Sequence, residues 1–168
     1  NAFTIGIVDD VTHTSLPVTC DIDTSPVGQT SAEFWGMGSD GTVGANKNSI
    51  KIIGHATDLY CQAYFVYDSK KSGGLTQSHL RFGKSPIRSP YLLQSADFVA
   101  CHTPSYVDKY DMVKNLKESG TFLLNCSWSD AELEAHLPAS MRRALAEKNA
   151  AFYTIDATSI ARELGLGN

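Results

Sequence analysis

The chain has 168 residues and a formal net charge of −4, with 42% hydrophobic and 19% charged residues. This composition is ordinary for a globular domain, and the length predicts one domain that buries about two-thirds of its unfolded surface. The acidic balance argues against a nucleic-acid binder, which normally carries a basic excess. No apolar run approaches the ~18 residues of a membrane-spanning helix, and no secretory signal pattern opens the chain, so we expect a cytoplasmic protein. Because the first residue is Asn1 and not Met, we also expect a piece of a larger protein.

The first 30 residues are predicted to be a connecting arm, since polar runs and the turn-forming Pro26 and Gly28 dominate them. From Ser31 onward, strand-like and helix-like patterns alternate. We predict strands over residues 31–35, 59–66, 75–82, 98–101, 121–125 and 152–155. We predict helices over residues 43–56, 104–117, 129–136, 139–149 and 157–164. The helix at 129 has a capping-box pattern, with Ser129 as N-cap and Glu132 three residues later.

This alternation predicts an α/β fold of three αβα layers around a mixed, mostly parallel sheet of the Rossmann-like type. The exception to the parallel pattern is residues 59–82, where two strands joined by a short polar loop predict an antiparallel hairpin. The linker over residues 83–95, with Pro86 and Pro90, joins the two halves of the sheet.

A glycine-rich turn over residues 36–47 is the most informative motif, and it lies between a predicted strand and a predicted helix. Such a turn lets backbone N–H groups approach an anion, and the helix dipole adds positive character. Gly36, Gly38 and Gly41 also fit the spacing of the dinucleotide fingerprint. The acidic residue that this fingerprint requires is absent at the expected distance, because the next strand ends only at Asp68. An ordinary tight turn is the alternative to an anion cradle.

A lysine loop follows the next strand, where Lys70 and Lys71 stand beside the pair Gly73 and Gly74. Two lysines suit a phosphorylated partner better than a ribose diol. His79 and Arg81 lie two residues apart on one strand face. They predict either a solvated edge strand or a second anion contact that faces the glycine turn.

Other reactive side chains form no complete active site. His102 ends a predicted strand, where it is a candidate catalytic base or a cap of the next helix. Trp128 is a candidate stacking residue or a buried loop anchor. The four cysteines are widely separated and predict free thiols in a reducing compartment, not a metal or iron–sulfur site: Cys20, Cys61, Cys101 and Cys126.

Several long motifs resemble the gamma domain of the 2-oxoacid:ferredoxin oxidoreductases, and together they span nearly the whole chain. They are Gly-Met-Gly-Ser-Asp-Gly-Thr-Val-Gly-Ala-Asn-Lys at 36–47, Tyr-Asp-Ser-Lys-Lys-Ser-Gly-Gly at 67–74, Ser-His-Leu-Arg-Phe-Gly at 78–83, Ala-Cys-His at 100–102, Pro-Ser-Tyr-Val at 104–107 and the run 120–128. Residues 8–13 and 15–17 resemble the arm that precedes this domain in the single-chain pyruvate:ferredoxin (flavodoxin) oxidoreductases. The resemblance implies a gamma domain over residues 31–168.

The resemblance also implies a function. Whole enzymes of this family oxidatively decarboxylate pyruvate with thiamine diphosphate, pass electrons through [4Fe-4S] clusters to ferredoxin or flavodoxin, and form acetyl-CoA; the parent is expected to be a homodimer. The gamma domain carries neither the thiamine site nor the clusters, is expected to be inactive alone, and is associated with coenzyme A and with packing against other domains. Candidate coenzyme A contacts are Gly36, Gly38, Ser39, Asp40, Gly41, Thr42, Asn46, Lys47, Ser69, Lys70, Lys71 and Ser72.

Two other functions remain open at this point. One is a free-standing nicotinamide-dependent dehydrogenase that uses Gly36, Gly38 and Gly41. The other is a purely structural interaction domain that packs between catalytic domains and binds no ligand.

Overall fold

The computed structural model describes residues 2–20, 25–68 and 73–166. A small parallel pair comes first, β1 (Thr4–Ile5) with β2 (Ser15–Leu16). The main sheet contains β3 (Thr30–Met37), β4 (Tyr60–Tyr67), β5 (Leu75–Gly83), β6 (Ala96–Cys101), β7 (Leu116–Asn125) and β8 (Ala151–Ile155). The helices are α1 (Thr42–Ala56), α2 (Asp130–His136), α3 (Ala139–Glu147) and α4 (Ala157–Glu163).

The main sheet has the strand order β4-β5-β3-β6-β7-β8. The strands β3, β6, β7 and β8 pair in parallel, whereas β5 pairs antiparallel with both β3 and β4. The hairpin therefore inserts β5 between β3 and β4, the two strands that α1 connects. The predicted α/β class with a mixed, mostly parallel sheet is confirmed, as is the hairpin over residues 59–82.

The two faces of the sheet are covered by different parts of the chain. The front face carries side chains such as Trp35, Val99 and Phe122, which form the main core with the 103–116 connection and with α2 and α3. The back face carries side chains such as Phe34 and Phe65, and α1 lies over its β3, β4 and β5 section. The fold is thus three αβα layers, and the back layer covers only part of the sheet.

The predicted helix over residues 104–117 is wrong. Only one 3-10 turn, Pro104–Tyr106, forms there, and the chain then runs through irregular turns into β7 at Leu116. Although the backbone of this segment is irregular, its apolar side chains are buried against the front face of the sheet. They are Tyr106, Val107, Met112, Val113 and Leu116. The spacing of these apolar residues therefore reflects tertiary packing and not an amphipathic helix.

The other predicted elements are present, with shifts of a few residues at their ends. Strand β7 is the largest extension, since it begins at Leu116 and not at residue 121. The capping box of α2 is confirmed, because the Ser129 backbone N–H donates to Glu132 Oε2 over 2.8 Å. No helix in the described part of the chain is long and apolar enough to cross a membrane.

Candidate functional site

The glycine turn connects β3 to α1 and is fastened to the end of the β4–β5 hairpin. Gly38 N–H donates to the Gly74 carbonyl over 2.7 Å, and Gly73 N–H donates to the Gly38 carbonyl over 3.3 Å. These two bonds fasten the turn to Gly73 and Gly74, immediately before β5. The sequence put the glycine turn and the lysine loop far apart along the chain, and the inserted strand β5 brings their flanks together.

Gly36 allows the turn to fold back onto its own strand. A Cβ atom at Gly36 would lie 2.5 Å from Thr42 Oγ1 and 2.9 Å from Asp40 Oδ2, distances that no side chain tolerates. Gly41 has a φ of +89°, a left-handed conformation that favours glycine. The left-handed φ favours glycine at position 41, and the Thr42 and Asp40 side chains leave no room for a Cβ at position 36, whatever the turn binds.

The Asp40 side chain occupies part of the predicted anion cradle. Its carboxylate accepts the backbone N–H of Met37 over 2.7 Å and that of Thr42 over 2.8 Å. These bonds satisfy N–H groups that an anion would otherwise use. Among the described residues, the N–H groups of Val43 and Gly44 in the first turn of α1 have no hydrogen-bond acceptor.

A cavity of about 420 Å³ opens between the glycine turn and the hairpin. Its walls are mostly apolar, and two carboxylates, Asp40 and Asp68, stand among them. No lysine or arginine is part of the described wall. The wall consists of Met37, Gly38, Ser39, Asp40, Gly41, Val43, Gly44, Tyr67, Asp68, Leu75 and Thr76.

The predicted contact residues divide into four groups. Gly38, Ser39, Asp40 and Gly41 line the cavity, whereas Gly36, Thr42 and Asn46 pack behind it, with Thr42 and Asn46 buried. Lys47 is exposed and is not part of the cavity wall, and its ammonium lies 5.3 Å from the ring centroid of Phe65 on β4. Residues 69–72, with the two lysines, lie outside the described residues.

Sequence reasoning did not single out the part of the wall that comes from the hairpin, namely Tyr67, Leu75 and Thr76. Tyr67 ends β4 and is 56% exposed. The available signal was the predicted hairpin itself, because the end of a strand parallel to β3 reaches the same sheet edge as the glycine turn. Asp68 was considered only as a ribose ligand at the wrong sequence distance, yet it lies on the cavity wall.

Both interpretations of His79 and Arg81 are wrong. Strand β5 is internal to the sheet and not an edge, and both side chains are only 2% exposed. Arg81 donates to Gln62 Oε1 over 3.1 Å and to the Tyr91 carbonyl over 2.7 Å, and its guanidinium lies 5.1 Å from the Tyr91 ring centroid. The linker that carries Tyr91 therefore covers the arginine, so it is not available to an anion at the glycine turn.

His79 instead lies beside a buried carboxyl group. Glu33 Oε1 is 3.9 Å from His79 Nδ1, too far for a hydrogen bond. Burial raises the pKa of Glu33 to about 7, an effect that the side chains of Asn115 and Trp35 partly offset. Burial, together with the charge of Arg81, lowers the pKa of His79 to about 4. The favoured state at neutral pH is an uncharged imidazole next to a carboxyl group near its titration midpoint.

The other two singled-out residues have packing roles. The His102 ring stacks on Phe34 with centroids 6.2 Å apart, and its carbonyl accepts a hydrogen bond from Asn125 Nδ2. The His102 pKa is lowered by burial, against the smaller opposing effect of Asp40. Trp128 stacks on His136 with centroids 4.5 Å apart and packs against the core, as expected of a loop anchor.

Comparison with known proteins assigns this arrangement to a family. The family model described as pyruvate ferredoxin/flavodoxin oxidoreductase matches residues 31–168. The chain belongs to this family. The pyruvate-flavodoxin oxidoreductase of Klebsiella pneumoniae is 64% identical over an alignment 168 residues long, which covers 99% of this chain and 14% of that protein. The chain thus spans about one-seventh of the length of the curated relative that it matches.

Two solved structures share the fold of the chain. The pyruvate oxidoreductase subunit PORC of Thermotoga maritima superposes with a TM-score of 0.62 at 18% identity, over 81% of this chain and 66% of that one. The 2-oxoglutarate:ferredoxin oxidoreductase of Magnetococcus marinus superposes with a TM-score of 0.58 at 14% identity, over 82% of this chain and 22% of that one. That second structure was solved with 2-oxoglutarate, coenzyme A and succinyl-CoA bound.

Proposed function

We propose that this chain is the domain of a pyruvate:ferredoxin or pyruvate:flavodoxin oxidoreductase that binds coenzyme A. The observation that carries the proposal is the cavity between the glycine turn and the hairpin, whose wall includes Asp68, the residue that precedes Ser69 to Ser72 in the sequence. The family membership and the coenzyme A bound by a structural neighbour support this assignment.

The wall chemistry divides the ligand into two parts. Met37, Val43 and Tyr67 offer an apolar surface suited to the adenine ring or to the pantetheine chain. The carboxylates of Asp40 and Asp68 would repel a phosphate inside the cavity, but they can accept hydrogen bonds from the hydroxyl and amine groups of a nucleoside. We assign the phosphates to the free N–H groups of Val43 and Gly44 and to the positive charges of Lys70 and Lys71, which follow Asp68 of the wall in the sequence.

The remaining chemistry is assigned to the rest of the parent polypeptide. In this proposal thiamine diphosphate, the [4Fe-4S] clusters and the docking of ferredoxin or flavodoxin lie outside the chain, in a cytoplasmic and homodimeric enzyme. The chain supplies the acyl acceptor for the decarboxylated substrate, contacts the other domains, and has no activity alone.

Calorimetry of the full-length enzyme with coenzyme A tests this proposal. Because two charge-assisted phosphate contacts are lost, Lys70→Ala with Lys71→Ala is expected to weaken the affinity by roughly 10- to 100-fold. Gly44→Ala is expected to weaken it as well, since its Cβ meets no other atom and would enter only the space of the ligand. Lys47→Ala is the matched control, because this lysine lies over Phe65 and outside the cavity. Unchanged affinity in the double lysine variant and in Gly44→Ala would refute the assignment.

A nicotinamide dinucleotide is the competing occupant, and one observation favours it: Asp68, an acidic residue at a strand end, shares the cavity wall with Gly38 and Gly41. Saturable quenching of NADH fluorescence by the full-length enzyme, lost in Asp68→Asn, would favour the dinucleotide. A domain that binds neither ligand would have only the structural, interdomain role.

A further inference from the structure

Within the described residues, strands β6, β7 and β8 are covered on one face only. Along β7, the front-face side chains Phe122 and Leu124 are 0% exposed. The alternating back-face side chains of the same strand, Thr121, Leu123 and Asn125, are only half-buried. On the neighbouring edge strand β8, the back-face Tyr153 pairs in register with Leu123 and is 59% exposed.

These side chains form a continuous uncharged surface across four strands, here called the back strip: Phe34, Phe98, Leu123 and Tyr153. Phe34 and Phe98 contact each other, with ring centroids 5.7 Å apart. The strand registers place Phe98 beside Ala32 and Thr121, and Leu123 beside Ala100. An aromatic and aliphatic row of this kind is typical of the inside of a protein, not of a surface in water.

No described part of the chain supplies the missing layer. Helix α1 lies over β3, β4 and β5 and stops short of β6 to β8. Helix α4 meets this face at its N-terminus, where the Ala157 N–H donates to Asn125 Oδ1 over 3.0 Å, but none of its residues is buried. The arm also leaves its apolar side chains exposed, with Phe3 at 62% and Val8 at 101%, so it is not packed on the strip.

Parallel strands are almost always covered on both faces, and the covering elements are helices. The sequence relative quoted above is about seven times longer than this chain. We propose that the back strip is the docking site of an α-helix from another domain of the same parent polypeptide. That helix presents an apolar stripe without charged residues, because a charge buried against Phe98 and Leu123 would have no partner there. The proposal rests on the proposed function only in placing the chain within a longer enzyme.

Site-specific photo-cross-linking in the full-length enzyme tests this inference. A p-benzoylphenylalanine in place of Tyr153 is expected to cross-link to a helical peptide that lies outside this chain. The same group in place of Tyr64, which is 57% exposed but lies on the front face at the other end of the sheet, is the matched control and should not capture that peptide. Both positions are exposed, so neither replacement disturbs the core.

The identity of the captured peptide decides the result. Capture of residues 2–20, of α4, or of the same segment in an isotopically distinct second copy would overturn the proposal, as would the absence of any cross-link. A second variant tests the surface without a cross-linker. Leu123→Lys is expected to speed amide exchange in β7 and β8 about tenfold or more relative to Leu123→Met, and equal exchange in the two variants would contradict a buried strip. Neither readout depends on coenzyme A, so this inference and the proposed function can fail separately.

Discussion

Glu33 and His79 contribute to stability with opposite dependence on pH. The pKa of Glu33 is raised to about 7 from 4.5, so the folded chain holds more protons than the unfolded chain in that window, and this contribution is lost as pH rises through 7. The pKa of His79 is lowered to about 4 from 6.5, so its contribution is lost as pH falls from 6.5 toward 4. Between about pH 4.5 and 6.5 the two slopes oppose each other.

Replacing either Glu33 or His79 should therefore reveal how the other residue changes the free energy of unfolding with pH. Glu33→Gln keeps the shape of the side chain. Compared with the wild type, its free energy of unfolding is expected to rise more steeply from pH 4.5 to 6.5, because the opposing contribution of Glu33 is gone and that of His79 remains. His79→Leu should show the reverse, a decline from pH 4.5 to 7. The nearby charge of Arg81 is common to both variants and stays in place. Urea unfolding at four pH values in this range provides the measurement. Profiles parallel to the wild type would mean that the two groups are not ionised as their burial requires.

Substitutions at Gly36 and Gly44 test two different properties of the glycine turn: the close packing at Gly36 and the open space beside Gly44. Gly36→Ala places a Cβ 2.5 Å from Thr42 Oγ1 and is expected to cost about 1–3 kcal/mol of unfolding free energy. Gly44→Ala meets nothing within 4 Å and lies inside α1, where alanine is the better helix former, so a change of about +1 kcal/mol at most is expected. Thermal or urea unfolding compares the two. A Gly44→Ala variant as unstable as Gly36→Ala would show that the wall of the cavity is closed, not open.

At the scale of elements, short sequence motifs correctly predicted the features that contacts between neighbouring residues determine. The capping box of α2, the glycine turn and the β4–β5 hairpin follow from residues close together in the chain, and all three are present. The failed helix at 104–117 has apolar residues at helical spacing, but they are buried by contact with β6 and β7. That contact is tertiary and leaves no local pattern that separates it from an amphipathic helix.

The candidate site shows the same division. Gly38, Ser39, Asp40 and Gly41 were identifiable because their motif is continuous in the sequence. The sequence did not reveal that the Asp40 carboxylate closes the turn, because that role depends on the directions of the Met37 and Thr42 backbone N–H groups. The inward position of His79 and Arg81 was also hidden, because only the insertion of β5 between β3 and β4 makes that strand internal.

Ser129 makes a prediction at the level of one helix. Its backbone N–H and its hydroxyl both donate to Glu132 Oε2, over 2.8 and 2.7 Å. Ser129→Ala removes the N-cap hydroxyl and is expected to lower the unfolding free energy by about 1 kcal/mol. Ser127→Ala, an exposed serine two residues earlier, is the control and should change little. Equal effects of the two substitutions, measured by urea unfolding, would show that the cap does not stabilise α2.

On the scale of the whole molecule, apolar surface is distributed unevenly between the arm and the sheet. The main core gathers on the front face of the sheet, whereas the arm exposes most of its large apolar side chains, among them Phe3, Val8 and Val11. The arm is held by its own bonds, such as Gly6 N–H to the Leu16 carbonyl over 2.9 Å and Ser15 N–H to Asp10 Oδ2 over 2.6 Å. Its exposed apolar side chains are thus not part of the main core.

This distribution predicts that residues 1–20 contribute little to the stability of the main sheet. Deleting residues 1–20 removes β1 and β2, which pair only with each other in the described part of the chain, and leaves the main sheet intact. We therefore expect the melting temperature of the shortened chain, followed by circular dichroism, to lie within about 2 °C of the original, because almost no buried apolar area is lost.

A longer deletion, to residue 29, serves as the comparison. Because Gly28 and Gln29 pack closely against Gly83 at the end of β5, this longer deletion should lower the melting temperature measurably. A drop of roughly 5 °C or more on removing residues 1–20 alone would mean that the arm belongs to the folded unit and is not a connection from a preceding domain.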